Sequence, residues 1–150
     1  FKLASRGLNV FYGNRHRWFS SVYVDDVVQA IIDAAASPNT IGKGYFICDG
    51  VPITWETYQA EVLRALDRRG LTLMLPEIVT WVAAYAGDFA TRMDKKPRLF
   101  SKNRAIMGAQ EAWTCRHDLA RADFGYVPAV DLAEGVRRTL AWYRAEGLVR

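Results

Sequence analysis

Val22-Tyr23-Val24-Asp25-Asp26-Val27-Val28-Gln29-Ala30 is the stretch that decides the fold. The side-chain period changes inside it. Residues 19–24 alternate and are rich in β-branched and aromatic types, so they read as a strand; Val27, Val28, Ile31, Ile32 and Ala35 then share one face of a helix. Asp25 and Asp26 fall where that helix starts and are expected to cap it, because a carboxylate there accepts orphan amide protons and suits the positive end of the dipole. A paired acid–base role fits less well, since adjacent residues on such a turn point different ways. A strand running straight into a helix is the repeating unit of α/β folds.

The same alternation of periods continues on both sides. Upstream, Leu8–Tyr12 reads as a short strand closed by Gly13-Asn14. Downstream, Ser37-Pro38-Asn39 ends the helix. Residues 45–48 are an apolar run between Gly44 and Asp49-Gly50, consistent with a buried strand. Thr54 caps an amphipathic helix with Trp55, Tyr58, Val62 and Leu66 on one face, Gln59 among its polar positions, and Gly70 as its stop. Residues 71–90 are the most apolar stretch, but Pro76, Glu77 and Asp88 interrupt it. That favours a buried helix over residues 76–90 rather than a membrane span, with contact at a membrane surface the lesser reading. Trp113 and Thr114 suggest a short extended piece, and Asp118 is placed to cap a brief helix to Asp123. The closing helix has Asp131 and Glu134 in a variant capping box, Leu132, Val136, Leu140 and Tyr143 on one face, and Gly147 at its end. The expectation is a single helix-rich α/β region over residues 1–150 with about three short strands.

At 150 residues, 51% hydrophobic and 24% charged, the chain can bury one sizeable core and lies far from the disordered class. It opens at Phe1 in mid-pattern, which reads as a cut end. No export signal is visible, so a cytoplasmic setting is expected, with Cys48 and Cys115 reduced rather than bridged. The net charge of +4 is concentrated in Arg92, Lys95, Lys96, Arg98, Lys102 and Arg104, opposed only by Asp94. Nucleic-acid binding would want aromatics beside such a run, and Phe100 stands alone there. A solvated basic face is the better reading, and no nucleic-acid partner is expected.

The chemistry the sequence lacks is as informative. None of its eleven glycines falls into GxGxxG or the P-loop spacing that lets backbone amides cradle phosphates. No Tyr is followed four residues later by Lys, and HExxH, CxxC and GxSxG are absent. His16 and His117 are solitary and read as surface or packing residues rather than as a base or metal ligand.

Three elements in order carry a resemblance. They are residues 22–30, quoted above; Gly44-Tyr45-Phe46-Ile47-Cys48-Asp49-Gly50 with the Thr54-Trp55 helix; and Ala120-Arg121-Ala122-Asp123-Phe124-Gly125-Tyr126-Val127-Pro128 before Leu132-Ala133-Glu134-Gly135-Val136. Together they are similar to the carboxy-terminal portion of extended short-chain dehydrogenases/reductases, the NAD(P)-dependent epimerase/dehydratase superfamily. The resemblance implies a Rossmann half, with glycine-rich loop and catalytic Ser/Tyr/Lys, ahead of Phe1. It implies NAD or NADP bound in a full-length parent, and neither cofactor held nor catalytic residue supplied by this chain alone. Residues 1–150 would then be the substrate-binding region, with residues 45–48 a late strand of the main sheet.

Nucleotide-sugar epimerases place an Arg about five residues before the position of Val24 to hold a diphosphate. Here Phe19 stands there, with Arg15 and Arg17 nearby. The apolar residues 71–90, the basic run and the tail Trp142-Tyr143-Arg144-Ala145-Glu146-Gly147 look more like the steroid-dehydrogenase and dihydroflavonol-reductase branch; Arg116 departs from it, since many relatives carry Asp there. The resemblance therefore implies an apolar small-molecule substrate bound by Tyr12, Arg15, Trp18, Phe19 and Ser21. The alternatives are a nucleotide-sugar epimerase or dehydratase, and a non-catalytic binding or regulatory relative. An isolated chain of this kind is expected to self-associate, because a strand and a helix face meant for the main sheet would be left open.

Overall fold

The computed structural model describes residues 1–94 and 102–149. The α/β, helix-rich reading holds, with five short strands among the described residues where about three were expected. In chain order they are β1 (Leu8–Tyr12), β2 (Trp18–Phe19), α1 (Val24–Ala36), β3 (Ile53–Thr54), α2 (Trp55–Ala65), β4 (Leu71–Leu75), α3 (Glu77–Asp94), α4 (Lys102–Ala109), β5 (Ala112–Trp113), α5 (Asp118–Phe124) and α6 (Leu132–Ala145). Lys95, Lys96, Arg98 and Phe100, central to the basic run, lie outside the described residues.

Two small sheets organise these elements. β1 and β4 run parallel in register from Leu8↔Leu71 to Tyr12↔Leu75, and β2 lies between antiparallel β3 and parallel β5. β4 was hidden in the apolar stretch, because its residues do not alternate; four of the five are exposed. The helix that follows starts one residue after Pro76, as that residue's tolerance of the first turn predicts.

The main core forms where α2 crosses α6, and it buries Val62, Leu66, Val136 and Leu140 with Ala4 and Val149. Those residues repeat at helical spacing on each helix, so one apolar face of α2 closes on one of α6. On another side of α6, Gly135 lets the helix approach Tyr23 closely. A Cβ at that position would stand 3.1 Å from the Tyr23 ring, which also carries the Arg138 guanidinium at 5.7 Å. A second cluster joins Ala30 of α1 to Ala120 of α5 and Tyr126, with Tyr45, Ile47 and Phe124 packed around it.

Two local caps form as expected: the Thr54 side chain accepts from Thr57 N at 3.1 Å, and Asp131 accepts from Glu134 N at 2.9 Å. Six expectations need correction. Residues 19–24 do not form a strand: only Trp18–Phe19 pairs, and Val24 already opens α1. The helix after Pro76 is not buried: its apolar residues run nearly all round it, Ala84 is buried, and Ile78, Val82, Tyr85 and Phe89 are exposed. Asp118 does not cap α5, whose N-cap is His117; its carboxylate is taken by Arg116 at 2.6 Å. Asp25 and Asp26 do not cap α1, whose N-cap is Tyr23 with no side-chain hydrogen bond. Asp26 is buried and accepts instead from Ala129 N (3.2 Å) and Val130 N (3.0 Å), so a long-range need outranks the local one. Residues 45–48 join no ladder; the segment is held by Asp49 N donating to Ser21 O and by Tyr126 OH donating to Cys48 O. Finally, α2 ends at Ala65, well before Gly70, where Asp67 takes a positive φ of 50°.

Candidate functional site

The connection from β1 to α1 carries every residue expected to touch substrate, and the structure divides them. Tyr12 and Arg15 line an open cleft of about 280 Å³ between the end of β1 and the first turns of α2. Trp55 and Gln59 form its other wall, and Gly108 closes it. Phe19 lies just behind, stacked on Trp55 with ring centroids 4.4 Å apart and edge-on to Tyr58 at 6.1 Å. Phe19 therefore fixes the Trp55 wall by packing. Trp18, its neighbour in the strand, alternates to the other side and is 50% exposed. Ser21 belongs to a different, smaller pocket of about 170 Å³ beneath α6, where its Oγ donates to Asp49 Oδ2 at 2.7 Å.

Trp55 and Gln59 were not singled out as site residues, although their signal was present. They are four apart on one helix and share an edge of it. Read by period alone, the Trp belongs to the core face and the Gln to the solvent face; the cleft lies where those faces meet.

Arg17 braces the cleft from below. One guanidinium nitrogen donates to Gly108 O at 2.7 Å and another to Glu77 at 3.1 Å, tying the loop after β1 to the ends of α3 and α4. Its Nε is buried without a partner. Arg15 is held by Glu56 at 3.4 Å, and His16 Nδ1 approaches the same carboxylate at 3.1 Å. The walls are thus mostly apolar with a few polar groups, the usual make-up of a small-molecule site.

Among the described residues, the resolved titration shifts fall on tyrosines, carboxylates, arginines and Cys48. Burial raises Tyr58, and burial followed by the Asp26 charge pushes Tyr126 up to about 12. Burial and the hydrogen bond to Asp123 push Tyr45 up to about 12, while Lys43 and then Tyr45 hold Asp123 below the ordinary carboxylate range. Each resolved shift carries its group away from neutrality, whereas a general acid or base needs the opposite. His16 is exposed beside Glu56, and the His117 ring packs edge-on to Tyr126 with its Nδ1 3.5 Å from Cys48 Sγ. Among the described residues no His/Cys/Asp/Glu cluster is placed to hold a metal ion.

Among the described residues, no glycine pair opens a helix in the way a dinucleotide's phosphates require. Gly42 and Gly44, the one close pair, are exposed on the loop after the 3-10 turn Pro38–Thr40 and start no helix. The other positive-φ glycines stand singly, at turns and helix ends. The described residues do not fit the phosphates of NAD(P).

No family model matches the chain. Curated relatives do. The chain is 25% identical over 138 residues to the 2-alkyl-3-oxoalkanoate reductase of Shewanella oneidensis, covering 86% of this chain and 35% of that protein. It is 28% identical over 143 residues to the decarboxylating sterol-4-alpha-carboxylate 3-dehydrogenase of Saccharomyces cerevisiae, covering 87% and 39%. The chain thus spans less than two-fifths of these relatives' length. A solved UDP-glucose 4-epimerase from Thermotoga maritima shares the fold, with a TM-score of 0.70 at 19% identity over 97% of this chain and 38% of that one. So does a Bacillus cereus UDP-glucuronic acid 4-epimerase bound to NAD, with a TM-score of 0.67 at 12% identity, covering 97% and 37%. The chain resembles the carboxy-terminal portion of an extended short-chain dehydrogenase/reductase. Within that family its likeness in sequence lies toward the steroid-dehydrogenase branch. Among the described residues, no helix of this short-chain dehydrogenase-like chain is long and apolar enough to cross a membrane.

Proposed function

We propose that the chain is the substrate-binding wall of an NAD(P)-dependent oxidoreductase acting on a hydroxyl or ketone of an apolar small molecule of steroid or flavonoid type. The cofactor and the proton-transferring residues belong to parts of the protein outside this chain. The observation that carries the reading is the cleft between β1 and α2, where Tyr12 and Trp55 offer flat apolar surface and Arg15 and Gln59 offer polar contacts at its edge. A rigid wall of this kind serves catalysis by fixing the substrate carbon relative to a hydride donor.

A diphosphate would need a bidentate guanidinium fork. Phe19 stands where nucleotide-sugar epimerases place theirs, Arg17 is committed to Gly108 and Glu77, and Arg15 is paired with Glu56. These commitments favour the apolar substrate over a nucleotide sugar.

Titration of the 150-residue chain, followed by tryptophan fluorescence, separates the readings. A ketosteroid is expected to quench saturably, and Trp55→Ala to weaken that binding about fivefold, since stacking on a large ring contributes on the order of 1 kcal/mol. NADH and UDP-glucose are expected to give no saturable change at micromolar concentration. Saturation by UDP-glucose with none by the steroid would reverse the substrate class.

A further inference from the structure

Cys48 and Cys115 stand 67 residues apart in the chain and side by side in the fold. Cys48 Sγ donates to the Cys115 carbonyl at 3.4 Å and lies 3.5 Å from His117 Nδ1. Both are free.

The backbone keeps the pair together. Cys115 N donates to Ser20 Oγ at 3.1 Å, and the neighbouring Asp49 N donates to Ser21 O at 2.8 Å. The two cysteine segments are therefore pinned to adjacent serines, Cys115 to Ser20 and Asp49 to Ser21. Their settings differ. Cys48 is 1% exposed, and burial pushes its thiol up, so it rests protonated. Cys115 is half-buried and lines an open cleft of about 310 Å³ with Gly50, Pro52 and His117. The His117 ring is fixed edge-on to Tyr126, with centroids 5.2 Å apart, and packs over Gly50.

We propose that Cys48 and Cys115 form an oxidant-responsive pair, in which peroxide reacts at Cys115 and Cys48 resolves the product as a disulfide. In the first step the Cys115 thiolate attacks one oxygen of hydrogen peroxide; an S–O bond forms, the O–O bond breaks, and hydroxide leaves to take up the thiol's proton as water. In the second, Cys48 gives its proton to His117 Nδ1 and attacks the Cys115 sulfenic sulfur. The S–S bond forms, the S–O bond breaks, and the departing hydroxide recovers the proton from His117. Two thiols and one peroxide become one disulfide and two waters. The bond would clasp residues 45–49, which no ladder holds, to the segment following β5.

The test needs no substitution in its first arm. The reduced 150-residue chain is exposed to a slight excess of hydrogen peroxide, then denatured, alkylated and weighed. The expected product is about 2 Da lighter, takes up no alkylating agent, runs as a monomer without reductant and yields a Cys48–Cys115 cross-linked peptide. Cys48→Ser is expected to stop at a dimedone-trappable sulfenic acid on Cys115, and Cys115→Ser to leave Cys48 fully alkylatable. His117→Gln should slow disulfide closure about tenfold while leaving sulfenic acid formation at its original rate. Two surviving thiols, Cys115 over-oxidised beside a free Cys48, or a disulfide-linked dimer would overturn the pairing. Closure at an unchanged rate in His117→Gln would overturn the role given to the imidazole.

Discussion

Asp26 shows what a single residue's neighbours in sequence can and cannot reveal. Its place at the head of α1 makes capping the natural expectation, yet its carboxylate reaches Ala129 N and Val130 N, more than a hundred residues away. Thr54 and Asp131 were legible as caps because each bonds an amide three residues on, inside the window that local chemistry controls. No such window contains both Asp26 and residue 130. Replacing Asp26 with Ala leaves two amides without their charged acceptor, one of them buried, and is expected to cost about 3 kcal/mol. Asp26→Asn, which keeps one acceptor oxygen, should lose about half of that. Urea unfolding of the two variants checks the order, and equal stability of wild type and Asp26→Ala would remove Asp26 from the list of structural anchors. The candidate cleft was partly legible for the same reason of range. Tyr12 and Arg15 sit close together in the chain, whereas Trp55, Gln59 and Gly108 come from elements that only folding brings alongside.

Elements whose period matches their burial were readable, and those whose burial depends on distant partners were not. α2 and α6 close on each other through residues spaced as a helix requires, so both were visible in the pattern. β4 and residues 45–48 were not: the first pairs on an exposed face, and the second has an apolar sequence without a ladder to join. Two changes test how far local chemistry holds the visible helices. Thr54→Ala removes the α2 cap and is expected to cost about 1 kcal/mol in chemical unfolding, with Thr54→Ser recovering most of it. In α6, the Glu134 side chain does not close the capping box. It turns to Arg137 and Arg138, which hold its carboxyl down to about 2 from an ordinary 4.5. A depressed folded pKa means stability present above the unfolded pKa and lost as pH falls through the folded one. Glu134→Gln should therefore be less stable than wild type at neutral pH, and the gap should close between pH 4.5 and about 2. A gap that stays constant across that range would mean the pair of arginines contributes nothing through this charge.

At the scale of the whole molecule, the open question is what covers α1. Its inner side meets α5 through Ala30 and Ala120, but Val28 (50% exposed), Ile31 (63%) and Ile32 (55%) face solvent in a row at helical spacing. Phe46 is likewise 72% exposed, on the segment that joins no sheet. A helix face and an unladdered strand-like segment lying open present both apolar area and unpaired backbone groups, and such surfaces tend to find a partner. Within a longer protein that partner would be more of the same chain. For the 150-residue chain alone, the nearest complementary surface is a second copy, and a two-fold axis would let one α1 row cover the other. Light scattering across about a hundredfold range of concentration is therefore expected to show a mass rising from 17.0 kDa toward twice that value. Ile31→Lys places a charge in the centre of the row and touches neither core cluster, so it should hold the mass at 17.0 kDa without lowering the unfolding midpoint. A wild-type chain that keeps the single-chain mass at every concentration would mean that the α1 row stays in water. A variant that still doubles would move the contact to another face, with the exposed side of α3, where Ile78, Val82, Tyr85 and Phe89 form a comparable row, as the next surface to alter.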